Sequence, residues 1–419
     1  MPGLKPGFGR LATVAEALDV LHAHRPVMGA ETVKLEEALH RVLSRDVVSE
    51  IDVPQFHRAA MDGYAVRAVD TFGAGDGAPK TLQVVGALSP GSVWSGVVTQ
   101  GTCLEIGTGS VMPEGADAVV MVEYTEPAGP SQVGVRQVRV RKGAVPGGNV
   151  IDPASDIQKG DVVLGAGALI GPSQLGALAA IGRPSVEVAT RPRVALLSTG
   201  PELVEPGRSL GPGQIYDINS YTLRAALVAD GFLISDTGSV PDQADPLKAA
   251  IRAGLAESDV VVVSGGSSLG GSDLVVEVFE SLGRVLIHGV AVKPGKPLVV
   301  AVSDVDGDHE EGAGKLMIGL PGYPMSALCD YYVFVRPCLR AAQGRISRGR
   351  FTDVTLARKH ASVLGRYEFV PVRLDGGRAH PLTKGSSSIT ALAAADGFIE
   401  VHENTEVLDE GESVRVALL

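Results

Sequence analysis

Four consecutive valines at 260–263 run straight into Ser264-Gly-Gly-Ser-Ser268. A β-branched run this short, with no polar residue on either face, does not suit a helix. It reads as a strand covered on both sides, the pattern of a parallel sheet flanked by helices. The loop that ends it is made for close approach. Gly265 and Gly266 let backbone N–H groups come near a ligand, Ser264, Ser267 and Ser268 add hydroxyls, and Ser272 or Asp273 is placed to cap the following helix. Together these predict an anion cradle at a helix N-terminus. Asp273 is the odd member, because a carboxylate beside a phosphate is repelled unless a divalent cation lies between them. A magnesium ion is therefore expected. The stretch closes on Lys293-Pro-Gly-Lys296, where two ammonium groups flank a bend and suggest an oxyanion clamp. Each motif alone is an ordinary turn; their succession within one α/β unit points to a site.

The 419 residues exceed what one core accommodates. Thr13-Val-Ala-Glu16 has the capping-box pattern and opens a helix, and a second helix is expected over about 35–44. From Ile51 the texture turns to β-branched runs separated by glycine, which predicts a β domain over 51–152 inserted between helical or mixed segments at 1–50 and 153–190. Residues 162–182 carry no charge but are broken by Gly165, Gly167, Gly171 and Pro172. They read as a turn, a short strand and a helix capped by Ser173, and not as a membrane span. An α/β domain is expected over 191–344, with strands at 194–197, 260–263 and 316–319. Its helices are expected at about 220–230, from an Asp245-Pro246 cap, and from Pro324 to near Gln343. The acidic, glycine-rich run at 304–314 reads as a solvated hairpin loop. A compact C-terminal β domain is expected over 345–419.

A net charge of −11 argues against wholesale binding of nucleic acid or membrane, so an anionic ligand needs a local basic pocket. Cys103, Cys329 and Cys338 show no CxxC spacing, which indicates neither a disulfide framework nor a structural zinc site. The N-terminal MPGLKPGFGR lacks the apolar core of a signal peptide, and a cytoplasmic location is the expectation.

Further loops carry candidate groups. Asp62 lies in Ala-Met-Asp-Gly-Tyr-Ala, and Thr108 in Gly-Thr-Gly-Ser; either is an ordinary turn if taken alone. Ser198-Thr-Gly-Pro-Glu202 falls at the carboxyl end of a strand, where open sheets bind ligands. Glu202 and Asp273 would both come from such ends and could share one cation. Pro321 and Gly322 occupy another strand end and lead into a helix whose amides could face an anion.

Seven motifs in order then carry a resemblance: AMDGYAV at 60–66, the turn at Thr108 with EGADAVV behind it, STGxEL at 198–203, GQIYDIN at 213–219, SGGSSLGGSD at 264–273, KPGKP at 293–297 and LPGYP at 320–324. The chain resembles the molybdopterin molybdenumtransferases and the related C-terminal part of gephyrin. The resemblance implies a helical segment interrupted by a β domain, an α/β domain like that of molybdopterin adenylyltransferases, and a C-terminal β domain. It also implies a homodimer that replaces the adenylate of adenylylated molybdopterin with molybdate, releases AMP and depends on a divalent cation, with contact to an adenylyltransferase. By family position the cation falls on Glu202 and Asp273, the pyrophosphate on Gly265, Gly266 and Ser267, and the oxyanion near Lys293 and Lys296. Ser198, Ser264, Pro321 and Gly322 would line the substrate, and Asp62, Thr108, Asp156 and Asp242 would orient the pterin or a water. Because Asp62 and Asp273 fall in different domains, each site is expected to be completed across the two-fold of the dimer.

Departures stand at His57, Arg58, Pro201 and Tyr323, and the loop after Asn149 lacks its usual arginines. Arg58 is expected to compensate for them. The alternatives are a non-catalytic binding scaffold of the same fold, a tungstate-using variant, and a general nucleotide hydrolase, against which the missing GxxxxGK[ST] stands.

Overall fold

The valine run forms the middle of a six-stranded sheet in a computed structural model that describes residues 10–128, 135–265, 274–304, 314–346, 350–382 and 388–419. Its strands are β1 (Arg193–Thr199), β2 (Leu233–Val240), β3 (Val260–Gly265), β4 (Gly283–His288), β5 (Val299–Ser303) and β6 (Leu316–Leu320), in the order β2-β1-β3-β6-β5-β4. The first four in that order are parallel, while β5 and β4 run antiparallel to their neighbours. Val260 and Val262 pack on one face with Leu196, Leu223 and Ile318. Val261 and Val263 pack on the other with Leu197, Ile251 and Phe279. Both faces of β3 are thus filled, which is why its sequence shows no alternation.

Helices Asn219–Ala229, Ala244–Glu257 and Leu274–Glu280 cover the sheet. The helix led by Pro324 runs as Pro324–Asp330, a π-helical turn Tyr331–Val335, and Arg336–Ala342. The expected cap at Asp245 is corrected. The helix starts at Ala244 after Gln243, so Asp245 lies in its first turn, where a carboxylate still suits the helix dipole. The first helix, Val14–Ala23, has the expected capping box: Glu16 N donates to Thr13 Oγ1 at 3.1 Å and Thr13 N to Glu16 Oε2 at 2.8 Å. Ala17 and Leu21 from it join the core on the face of Val260.

The expected helix over 35–44 does not form. Only Leu35–Glu37 makes a 3-10 turn, His40 takes φ 62°, and Val42 and Leu43 bridge to Leu169 and Val188. Arg41 explains the change: it is buried, pairs with Glu31 and donates to the Ala189 carbonyl at 2.9 Å. Tertiary pairing therefore overrides local propensity here.

Five C-terminal strands, Phe351–Leu356, Tyr367–Asp375, Arg378–Pro381, Gly397–Val401 and Ser413–Leu418, pair in a closed ring around Leu356, Val370, Val372, Ile399 and Val416. Closure leaves the ring no open sheet edge. The short strand Val292–Lys293 adds to this barrel, parallel to Tyr367–Asp375.

The chain divides into two compact units, Met1–Arg45 with Ala166–Gly171 and Ser185–Leu419, and Asp46–Gly165 with Pro172–Pro184. The elements described so far belong to the first. The second holds a six-stranded sheet in the order Ala118–Met121, Gly63–Val66, Thr102–Ile106, Lys80–Leu88, Gln137–Val140, Thr125–Pro127. Its core includes Val66, Leu82, Cys103, Val120 and Val140, and burial pushes the Cys103 thiol up to about 12. The helix expected to be capped by Ser173 runs Pro172–Ala180, so proline opens it and Ser173 lies inside its first turn. Among the described residues no helix is long and apolar enough to cross a membrane. The predicted loop at 304–314 falls almost wholly outside the described residues, as do Ser268 and Ser272.

Candidate active site

The parallel strands β1, β3 and β6 end side by side, with Ser198 opposite Ser264, Thr199 opposite Gly265, and Ser264 opposite Leu320. Gly265 has φ +104°, and a Cβ there would run into the Thr199 carbonyl, so no other residue fits this strand end. Asn219, at the start of its helix, ties the loops together. Its Nδ2 donates to Ser264 Oγ at 2.8 Å and to the Gly322 carbonyl at 2.8 Å. Asp217 braces that helix start by accepting from Ser220 N at 3.1 Å and Ser220 Oγ at 2.5 Å. Thr199 Oγ1 donates to Asp242 Oδ1 at 3.0 Å, bringing Asp242 to the same edge. Ser198 Oγ and Asn219 Oδ1 are buried here and have no hydrogen-bond partner. Buried polar atoms of this kind are costly unless a water or a ligand satisfies them, and the carboxyl ends of the strands are where open sheets take ligands.

Glu202 is exposed, and its carboxylate curls over Gly200: a Cβ built at Gly200 would lie 2.9 Å from each carboxylate oxygen. Gly266, Ser267 and Asp273 lie outside the described residues, so the expected pairing of Glu202 with Asp273 does too. Among the described residues no group of three or more His, Cys, Asp or Glu is placed to hold a metal ion. An exposed carboxylate at a phosphate-type loop nevertheless suits magnesium, which keeps several waters and takes phosphate oxygens rather than an all-protein cage.

The KPGK turn lies at the same edge, because β5 begins at Val299, opposite Gly319 near the end of β6. Val290 N donates to the Lys296 carbonyl at 2.9 Å and closes the turn. Gly295, at φ +116°, packs on the Asp330 carboxyl, which a Cβ would strike. Asp330 is 1% exposed with neither oxygen hydrogen-bonded, and burial raises its pKa well above the carboxylate range. Lys296 is half-buried on this turn. The Lys293 side chain is 43% exposed, and its ammonium lies 2.8 Å from Glu368 Oε1. Burial opposes ionisation of Glu368, but His360, 3.4 Å from Oε2 without a hydrogen bond, and above all the Lys293 ammonium at 2.8 Å outweigh it and hold the carboxyl down at about 2.

In the other unit, Gly63 lies opposite Ile106, which places Asp62 beside Thr108. Asp62 Oδ1 accepts from Thr108 N at 2.6 Å and Thr108 Oγ1 at 2.7 Å. The backbone bond, then the hydroxyl bond, lowers the Asp62 pKa. Asp156 is exposed in a neighbouring stretch of loop and shares no hydrogen bond with either. His57 Nδ1 lies 3.2 Å from Oδ1 of Asp152, which belongs to the loop after Asn149 that lacks the usual arginines, so two of the departures pair with each other. Arg58 Nε is buried without a partner. Of the other departures, Pro201 is exposed, and Tyr323 is 62% exposed just before Pro324.

Sequence reasoning missed Asn219, Asp217, Glu368 and His360 as site groups. GQIYDIN contains the first two, but its spacing does not reveal that Asn219 bridges two other loops.

Three family models match in succession: "MoeA N-terminal region (domain I and II)" over residues 12–182, "Probable molybdopterin binding domain" over 195–341, and "MoeA C-terminal region (domain IV)" over 353–419. The chain is 34% identical to molybdopterin molybdenumtransferase 2 of Mycobacterium tuberculosis, over 95% of this chain and 96% of that one. It is 30% identical to molybdopterin molybdenumtransferase of Bacillus subtilis, over 93% and 90%. A crystal structure of a molybdopterin biosynthesis MoeA protein from Pyrococcus horikoshii superposes with a TM-score of 0.78 at 39% identity, covering 98% of this chain and 99% of that one.

Proposed function

The chain belongs to the molybdopterin molybdenumtransferase (MoeA) family, transferases of molybdenum cofactor biosynthesis, and on that premise we propose that it inserts molybdate into adenylylated molybdopterin and releases AMP. One observation carries the reading for this chain. Ser198 Oγ and Asn219 Oδ1 are buried without partners at the carboxyl ends of β1 and β3, beside a strand end where only glycine fits. This edge suits a nucleotide-linked pterin: backbone amides and the hydroxyls of Ser198 and Ser264 would hold its phosphates, to which Gly266 and Ser267 are also assigned, while Asn219 Oδ1, an acceptor, would take a donor from a sugar hydroxyl or the pterin. Pro321 and Gly322 form the adjoining wall, and Asn219 holds Gly322 in place.

Molybdate is a hard dianion, which suits ammonium and hydroxyl donors, whereas the soft dithiolene ligands come from the substrate. Lys293 and Lys296 are assigned to it. Magnesium would be held by Glu202 and Asp273 together with phosphate oxygens, and when bound it neutralises charge on the phosphoanhydride. Asp242, fixed by Thr199, orients a water or pterin group at the same edge. Asp62, held ionised by Thr108, and the exposed Asp156 are assigned to orienting the pterin. We further propose a homodimer that receives its substrate from an adenylyltransferase.

The test is incubation of the protein with adenylylated molybdopterin, magnesium and molybdate, following AMP. Release that depends on molybdate supports the transferase. No release from folded protein that still binds the pterin nucleotide would leave a binding scaffold.

A further inference from the structure

Lys293 is anchored from outside the α/β sheet. Its ammonium reaches Glu368 Oε1 at 2.8 Å, and the two backbones are paired, Val292 opposite Tyr367 and Lys293 opposite Glu368. Glu368 belongs to the C-terminal barrel and its side chain is only 7% exposed. Its second oxygen lies 3.4 Å from Nε2 of His360, whose side chain is 8% exposed. Carboxylates are rarely buried to this degree unless their charge is matched. This one is aimed at a single half-exposed lysine, with an imidazole behind it. Two residues further on, Gly295 rests against the buried Asp330, so the turn carrying both lysines is braced from two elements.

We propose that Glu368, backed by His360, is a positioning residue that fixes the Lys293 ammonium for anion binding. The inference rests on the assignment of Lys293 to molybdate. A free lysine side chain samples many rotamers, and an ion pair with a buried, oriented carboxylate removes that freedom before the anion arrives. The Lys293 side chain stays 43% exposed in this pairing, and an ammonium carries three donors, of which the contact with Glu368 Oε1 takes one. A plain stabilising role would not require the barrel strand to meet the turn at this lysine, since Val292 and Tyr367 already supply the packing and the backbone pairing.

The test has two arms, both on the full chain. In the first, the rate at which an amine-reactive reagent labels Lys293 is read by mass spectrometry in wild type, Glu368→Gln, Glu368→Asp and His360→Asn. Loss of the carboxylate should speed labelling by about tenfold, the ratio that corresponds to one charge-assisted hydrogen bond. Glu368→Asp should recover part of the protection, and His360→Asn should move labelling the same way by less. Unchanged labelling of Lys293 in folded Glu368→Gln overturns the proposal. In the second arm, AMP release is followed against molybdate concentration. Glu368→Gln should raise the KM for molybdate by about tenfold with a smaller change in kcat, because the lost contact acts on anion binding. Glu368→Gln combined with Lys293→Ala should be no worse than Lys293→Ala alone, since both act through one ammonium. Additive losses would overturn it. If wild type releases no AMP, the proposed function fails, while the labelling arm still decides whether Glu368 positions Lys293.

Discussion

Glu368→Gln should also expose how much of the barrel's stability depends on one carboxylate. The Glu368 carboxyl falls from an ordinary 4.5 to about 2 in the folded protein. At 1.36 kcal/mol per pKa unit this drop is worth about 3 kcal/mol, and screening at the half-exposed Lys293 reduces it to about 2–3 kcal/mol. A depressed carboxyl pKa means that the folded state prefers the ionised form. The stabilisation is therefore complete above about pH 4.5 and disappears as the pH falls through about 2. Native-state hydrogen exchange at Val370 and Val372, in the strand that carries Glu368, reads local opening without assuming that the whole chain unfolds at once. At neutral pH the substitution should lower protection there by about two orders of magnitude. Near pH 2 the two proteins should be equally protected. A difference that persists unchanged down to pH 2, or none at neutral pH, would refute the ion-pair account.

Gly265→Ala should lower stability by about 2 kcal/mol or more, because the new Cβ meets the Thr199 carbonyl at a positive φ; a thermal midpoint equal to that of wild type would contradict the strand-end geometry. Asn219→Ala removes two hydrogen bonds and should cost about 2 kcal/mol of stability while weakening binding of the pterin nucleotide, measured by calorimetry; lost stability with unchanged affinity would take Asn219 out of the site. Asp273→Asn should lower AMP release by about tenfold and raise the magnesium requirement, since a neutral amide is a poor ligand for a hard cation; unchanged activity at limiting magnesium would remove Asp273 from the metal site.

What could be read from the sequence follows the range of the interactions involved. The valine run announced β3 because both its faces are apolar within six residues. The loop after it announced a site because glycine at a strand end has a local steric cause at Gly265. The helix expected over 35–44 failed because Arg41, Val42 and Leu43 make their bonds to residues far along the chain, which no local period contains. From their own residues Asp62 and Thr108 were legible only as two turns, and the resemblance alone marked them as site groups; the antiparallel pairing of Gly63 with Ile106 joins them. Glu368 and His360 gave no signal at all. Their connection to Lys293 arises from a two-residue parallel pairing between a turn and a barrel strand, and neither segment looks unusual alone.

We propose that this edge of the sheet exchanges adenylate for molybdate, and a single-turnover reaction in which AMP released and molybdenum bound to the pterin are measured in the same sample decides it. The two should appear in equal amounts, both should require magnesium, and both should fall together when Lys296 is replaced by Ala and molybdate is limiting. AMP released at full rate without molybdenum transfer, or molybdenum transferred with the adenylate still attached, would contradict it.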